Sequence, residues 1–414
     1  GGYDNNNNNW GNVKSFVEVS NYLSNIIEII PLKKSSNIAH KGSYVALKNN
    51  GTIISWGHHS YGGVTGNEVP LTGITQVYST MNAYVVVTDT NNAFSWGNPN
   101  YGAFSSDIEG SNNNGISNVH SVYSTNAAFA FLKDVTNGSG SVVTTGDQNH
   151  GGNGGVITNV KSIYSTNAAF TALKSDGTII SWGNANEGGD SSYVNNKINN
   201  DGNLEKIEEI YSTNYSFLAV VKMSDPNKKT IIIWGYNQSL WNDQANPIGV
   251  YEINMPYSIV SSDEQFVIYK QSSPSVVVWG GLQPHGSNPI SIFSSYTNTG
   301  TEITFHNTAP VDSSKLFNIK KIYTTKKGFT ALTKHGSVIT WGRADQNESG
   351  AYSLNAHSLN ASSFNINNKL MNITNIKNNS NTFIALSGGQ DDNSYDYRVY
   401  YNSNIPYRDA DNIP

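Results

Sequence analysis

The chain has 414 residues, 37% of them hydrophobic and only 13% charged, with a formal net charge of -5, 38 Gly, 24 Tyr and no Cys. Low charge with abundant Tyr, Val, Ile and Thr excludes a disordered chain and favours strands joined by polar turns; the mild negative balance argues against an electrostatic grip on nucleic acid. No run of about 18 apolar residues is present to cross a membrane as a helix, and the absence of cysteine leaves the compartment open, since a reducing interior and a thiol-avoiding bacterial surface both permit it.

Residues 1–27 read as a lead-in: an Asn run, Trp10-Gly11, and a short apolar stretch at Phe16 and Val17. The start at Gly1-Gly2 without Met suggests a processed or engineered beginning. From residue 28 a unit recurs, clearest at 160–190. There two alternating runs, Ser162 to Ser165 and Phe170 to Leu173, precede the hairpin signal Asp176-Gly177. A third run ends at Trp182-Gly183, and a Gly-rich polar loop closes on Gly188-Gly189-Asp190. Three short strands and a loop, without a helix, cannot bury an apolar face alone, so recurrence decides the fold.

First halves of the unit lie near 28–46, 74–87, 120–132, 161–173, 208–221, 257–269 and 321–332. Their second halves end at Trp56-Gly57, Trp96-Gly97, Thr145-Gly146, Trp182-Gly183, Trp234-Gly235, Trp279-Gly280 and Trp341-Gly342, the third having lost its Trp. An extra strand-like stretch at 289–308 reads as an inserted hairpin. After residue 371 a further first half appears, with Tyr397 to Tyr401 as a degenerate strand, and 403–414 is left as a tail. Trp10-Gly11 then offers the complementary part of that last unit, so strands from both termini would close a ring. Units of roughly 40–60 residues with three or four strands predict an all-β propeller over 28–402, with seven blades and a composite eighth as the alternative. The Trp at each strand end packs between neighbouring blades, the Gly after it allows a positive φ or a close approach, and the Tyr-Ser-Thr corner at 123–125 and 164–166 supplies hydroxyls to a tight bend.

The pattern in ALKSDGTIISWG at 172–183, ALKNNGTIISWG at 46–57 and ALTKHGSVITWG at 331–342 resembles the propeller repeat of the regulator of chromosome condensation family. The resemblance implies a propeller, typically seven-bladed. The variant with YST, AF and a trailing GGD is closer to arrays in bacterial or protist surface and secreted proteins. The founding member of the family catalyses nucleotide exchange on a small GTPase and binds chromatin. This chain lacks a basic tail, and none of its residues matches an exchange residue, so a guanine-nucleotide exchange role is the weakest alternative.

The nine histidines are scattered, and the sequence lacks HExxH, GxSxG and a phosphate loop. Gly151 to Gly155 precede a strand, Asp134 to Gly138 read as a hairpin turn rather than a calcium loop, and Asp391, Asp392 and Asp396 read as a solvated loop. The expectation is therefore a protein that is not an enzyme, with no metal and no cofactor. The loops after each Trp-Gly remain: His58, His59 and Tyr61; Asn98 and Tyr101; Asn184; and Tyr236 with Trp241. Tyr and Trp give rigid contact area and Asn gives adaptable hydrogen bonds, which suits a protein or glycan ligand. Trp241 falls outside the repeated slot, where it either stacks on a sugar or fills a gap under a long loop. The expected function is a secreted or cell-surface recognition module, with self-assembly into an extracellular filament or appendage as the alternative.

Overall fold

The computed structural model describes residues 23–33, 42–58, 61–63, 72–103 and 115–235, then 250–254, 257–262, 265–269, 276–280, 319–324, 328–336, 338–342, 373–378, 383–387 and 398–401. The lead-in before residue 23, the stretch at 289–308 and the acidic loop at 391–396 lie outside them. The chain divides into two compact units, Gly1–Glu252 and Ile253–Pro414.

Unit 1 is a succession of antiparallel three-stranded modules: β1 (Ile26–Pro31), β2 (Ser43–Lys48) and β3 (Ile53–Gly57); β4 (Ile74–Ser79), β5 (Ala83–Thr88) and β6 (Ala93–Gly97); β7 (Val119–Ser124), β8 (Ala128–Thr136) and β9 (Ser139–Gly146); β10 (Ile157–Ser165), β11 (Ala169–Lys174) and β12 (Ile179–Gly183); β13 (Leu204–Ser212), β14 (Ser216–Met223) and β15 (Lys228–Gly235), the last sheet extended by β16 (Val250–Asn254). In unit 2 the same order recurs in β17 (Ser258–Ser261), β18 (Gln265–Tyr269) and β19 (Val276–Gly280); β20 (Ile319–Thr324), β21 (Gly328–Thr333) and β22 (Val338–Gly342); β23 (Ile373–Asn378), β24 (Phe383–Ser387) and β25 (Arg398–Tyr401). The first strand thus begins at Ile26, just ahead of the boundary read from the sequence. The last module takes its third strand from β25 itself, so among the described residues no sheet draws strands from both ends of the chain. No described helix is long and apolar enough to cross a membrane.

Within unit 1, consecutive modules bury apolar faces against each other. Val45, Leu47 and Ile53 of the first meet Tyr84, Val86 and Trp96 of the second, and Ala130 and Leu132 of the third meet Ile163, Phe170 and Ala172 of the fourth. Every middle strand has a neighbour on each side, so β5 is buried at all its positions, and runs such as AFAFL are apolar without alternation. Small residues on one face and large ones on the other let the sheets approach.

First strands start from a left-handed residue, Asn25, Gly73, Asn118 or Asn159, whose carbonyl accepts the N–H of Asn49, Asp89, Asp134 or Ser175 in its own module's hairpin. Asn tolerates that conformation better than other side-chain-bearing residues, which accounts for part of its abundance here. The strand β10 serves two modules. Ile157 faces Val142 of β9, and after a bulge Ser162 to Ser165 face β11, so one nine-residue strand joins two modules into a six-stranded sheet.

One feature departs from the helix-free expectation. Ser192–Asn200 forms an α-helix, α1, with Val194 in the core between the fourth and fifth modules and Asn195 Nδ2 donating to Ile179 O at 3.0 Å. The Gly-Gly-Asp loop therefore leads into a helix that covers the edge strand β12, a common protection of unpaired strand groups. Its weak apolar pattern (SYVNNKINN) concealed it in the sequence.

Candidate functional site

In the first four modules of unit 1 the first-to-second-strand corner and the turn after the closing glycine fall at the same end, because the strands are antiparallel and the hairpin lies at the other. All the described residues singled out from the sequence, His58, Tyr61, Asn98, Tyr101 and Asn184, sit in these turns. His59, Tyr236 and Trp241 lie outside the described residues.

The turns share one backbone. Pro99–Tyr101, Gln148–His150 and Ala185–Glu187 are each one turn of 3-10 helix ended by a left-handed Gly102, Gly151 or Gly188. Asn98 and Asn184 cap the first and third of these, each side-chain oxygen accepting an N–H two residues on, from Asn100 and Asn186 respectively, at 3.0 Å, while Asp147 before the second makes no such bond. His58 opens the equivalent first turn, its carbonyl accepting the N–H of Tyr61 at 3.1 Å and its ring lying 4.6 Å from the Tyr61 ring.

Two contacts fix each turn to its surroundings. In the second, third and fourth turns the corner threonine of the same module donates to the last carbonyl: Thr80 to Tyr101, Thr125 to His150 and Thr166 to Glu187, at 2.8, 2.9 and 2.9 Å. The same hydroxyls accept the N–H of Ala83, Ala128 and Ala169, so the corner hydroxyls do satisfy the bend as read from the sequence. Then the turn glycine meets the next module. Trp96, Trp182 and Trp234 donate Nε1–H to Gly62, Gly151 and Gly188 carbonyls at 2.9, 3.0 and 3.1 Å. Each Trp ring lies 5.3–5.4 Å from the aromatic opposite it in its own sheet, Tyr84, Phe170 or Phe217. A Cβ on Gly188 would stand 2.5 Å from the Phe217 ring, so only glycine fits between turn and ring. The third module carries Thr145 opposite Phe129 and lacks the indole bond to Gly102.

The last turn residue varies on this constant frame: Tyr61, Tyr101, His150, Glu187. His150 Nδ1 lies 2.7 Å from Asp147 Oδ1. Burial raises the Glu187 carboxyl, against the opposing pull of His150 and of the Ala168 N–H, and Glu187 Oε2 is buried with no hydrogen-bond partner.

A second row went unread in the sequence. Pro31 faces Tyr44, Ser79 faces Tyr84, Ser124 faces Phe129, Ser165 faces Phe170 and Ser212 faces Phe217. Two residues beyond each first member stand Lys33, Met81, Asn126, Asn167 and Asn214 at one repeated position. Backbone bonds join them from module to module: Lys33 N–H to Thr80 O at 2.9 Å, Met81 to Asn126 at 2.9 Å, Asn126 to Asn167 and Asn167 to Asn214 at 2.8 Å. All five are half-buried. The Lys33 ammonium reaches past the second module to Ser124 O at 2.5 Å. Desolvation lowers its pKa to about 8. In the third to fifth modules the signal was present in the sequence as an Asn after the corner Thr, but it merged with the general Asn background.

No protein-family profile matches the chain, and no curated protein matches it. Solved structures do resemble it at low identity. The CRINKLY WD40 ectodomain of the Arabidopsis thaliana receptor kinase ACR4 aligns at 13% identity over 73% of this chain and 91% of that one, with a TM-score of 0.35. Yeast RCC1 (Prp20), solved with Kap60, aligns at 16% over 65% and 70%, with a TM-score of 0.35. The ectodomain of the Physcomitrella patens receptor kinase CR4 aligns at 13% over 76% and 78%, also with a TM-score of 0.35.

Proposed function

We propose that this propeller-type repeat chain is a non-catalytic recognition module, secreted or at a cell surface, that binds a protein or glycan through the corner end of unit 1. The observation that carries the reading is the contrast between frame and display. The turn backbones are held by threonine, glycine and tryptophan contacts, while the side chains they carry vary, with Pro99, Gln148 and Ala185 at the first turn position and Tyr61, Tyr101, His150 and Glu187 at the last. A rigid scaffold carrying varied polar and aromatic side chains binds with little ordering cost. Loops fixed at one end of repeated sheets are a common location for composite sites.

The test is a glycan array and a parallel protein array probed with wild type, Tyr101→Ala and His150→Ala, with folding checked by circular dichroism. Selective binding weakened by either variant supports the module. Selective binding that both folded variants retain in full removes the corner end as its site.

A second reading, self-assembly, has one observation in its favour: Ile27, Ile29 and Tyr44 on β1 and β2 are 63%, 52% and 41% exposed. Light scattering across a concentration series, with Ile29→Lys alongside, tests it. A monomer at every concentration rejects it.

A further inference from the structure

The row at the corners carries chemistry that the fold does not use. Met81 makes the same module-to-module backbone bond as Asn126 and Asn167, so an amide is not needed for that link. None of Asn126, Asn167 and Asn214 has a positive φ, so backbone conformation does not select Asn either. Among the described residues the three side-chain amides make no hydrogen bond within the protein. Each therefore offers two donors and an acceptor, in register on consecutive modules, beside an ammonium whose one partner is a carbonyl.

We propose that Lys33, Met81, Asn126, Asn167 and Asn214 form a binding site for an acidic sugar, in which the Lys33 ammonium takes the carboxylate and the asparagine amides take the ring hydroxyls. The inference rests on the corner end being a recognition surface and adds the class of ligand. Hydroxyls both donate and accept, as do primary amides, so a row of amides matches a polyol better than it matches a second charge. Met81 stands in the same row one module before Asn126 and would offer an apolar contact to ring C–H groups, while the ammonium, reaching Ser124 O, lies on the Asn126 side of it. A single ammonium, lifted from water and compensated by a neutral carbonyl alone, is matched by one carboxylate through a charge-assisted hydrogen bond. The flexible four-carbon stem lets the amine leave Ser124 O to meet it.

The experiment is calorimetric titration of the whole chain with sodium glucuronate, with glucose and acetate as the two partial ligands. Glucuronate is expected to bind more tightly than either. Lys33→Met should weaken it by at least about tenfold, the loss typical of a charged hydrogen bond. Asn167→Ala should weaken it by roughly threefold to tenfold, as for a neutral one. Lys174→Met, which removes an equal charge at the hairpin end, should leave it unchanged. Glucuronate binding that survives Lys33→Met, or no binding by wild type up to about 50 mM, overturns the proposal. Acetate binding as tightly as glucuronate overturns the sugar and leaves a bare carboxylate site. Array binding lost on Tyr101→Ala while glucuronate fails would sink this inference and leave the recognition module standing; glucuronate bound while Tyr101→Ala and His150→Ala change nothing would keep this inference and take the recognition role away from the turn residues.

Discussion

Replacing Trp234 by Phe tests whether the module-to-module indole bond stabilises unit 1. Trp234 is 2% exposed, stacks 5.3 Å from Phe217 and donates to Gly188 O at 3.1 Å. Phenylalanine keeps the stack and removes the donor. The lost bond costs about 1 kcal/mol net, and leaving the Gly188 carbonyl buried without its donor costs up to about 1 kcal/mol more. The smaller ring gives up roughly 30–40 Å² of buried apolar surface, worth about 1 kcal/mol. Together Trp234→Phe should destabilise by about 2–3 kcal/mol. Urea unfolding followed by far-ultraviolet circular dichroism measures it as a lower midpoint at unchanged slope. A loss below about 0.5 kcal/mol would show that the indole N–H is replaceable by solvent and that stacking alone holds the turn. The third module supplies the precedent for that outcome, since it folds with Thr145 in this slot.

Gly151→Ala should cost about 2–4 kcal/mol in thermal unfolding, from left-handed strain plus a clash, because φ is +91 and the new Cβ would lie 2.6 Å from Phe170 Cδ2; at Gly155 φ is +67 with nothing within 4 Å, so Ala there should show the strain alone. Glu187→Gln should stabilise at neutral pH. A carboxyl raised by burial binds more protons folded than unfolded, so its penalty is present above the folded pKa and fades as pH falls through it; a pH series of melting temperatures showing no convergence of the two proteins in acid would refute this. Lys33→Met should also be more stable than wild type at pH 7, by about 2–3 kcal/mol after allowing for partial exposure. The folded pKa of about 8 lies below the ordinary 10.5, so the unfolded chain binds more protons between them. Wild-type stability then rises with pH across that window and the gap to Lys33→Met closes. A variant less stable than wild type at pH 7 would make Lys33 a structural strut instead of a ligand group.

The repeated strands, hairpins and Trp-Gly ends were legible in the sequence because each follows from a local rule. Asp176-Gly177 turns a hairpin wherever it stands, and alternating or continuous apolar runs must face a neighbour. The hairpin at Asn137-Gly138 and the short strand at 398–401 were legible for the same reason. The glycine after each short polar turn was visible as a residue, but its purpose, the close approach to an aromatic ring of the next module, depends on a contact between segments some thirty residues apart. The helix at 192–200 was hidden because one buried Val194 and a bond from Asn195 to a strand edge hold it, and neither leaves an apolar stripe.

The candidate site divides in the same way. Its outer row, Tyr61, Tyr101, His150 and Glu187, follows from position after a repeated dipeptide, so the sequence reached most of its turns. Its inner row could not be read, since Lys33 stands in a segment where the repeat is faint and Asn126, Asn167 and Asn214 are ordinary residues in an Asn-rich chain. What the sequence determined by itself is the unit: strand, corner, strand, hairpin, strand, turn, all set by interactions within a few residues. What only the tertiary structure decided is which residues of successive units meet, because stacking sheets in register turns one repeated position into a row, and that register is set by glycine, tryptophan and backbone bonds between modules.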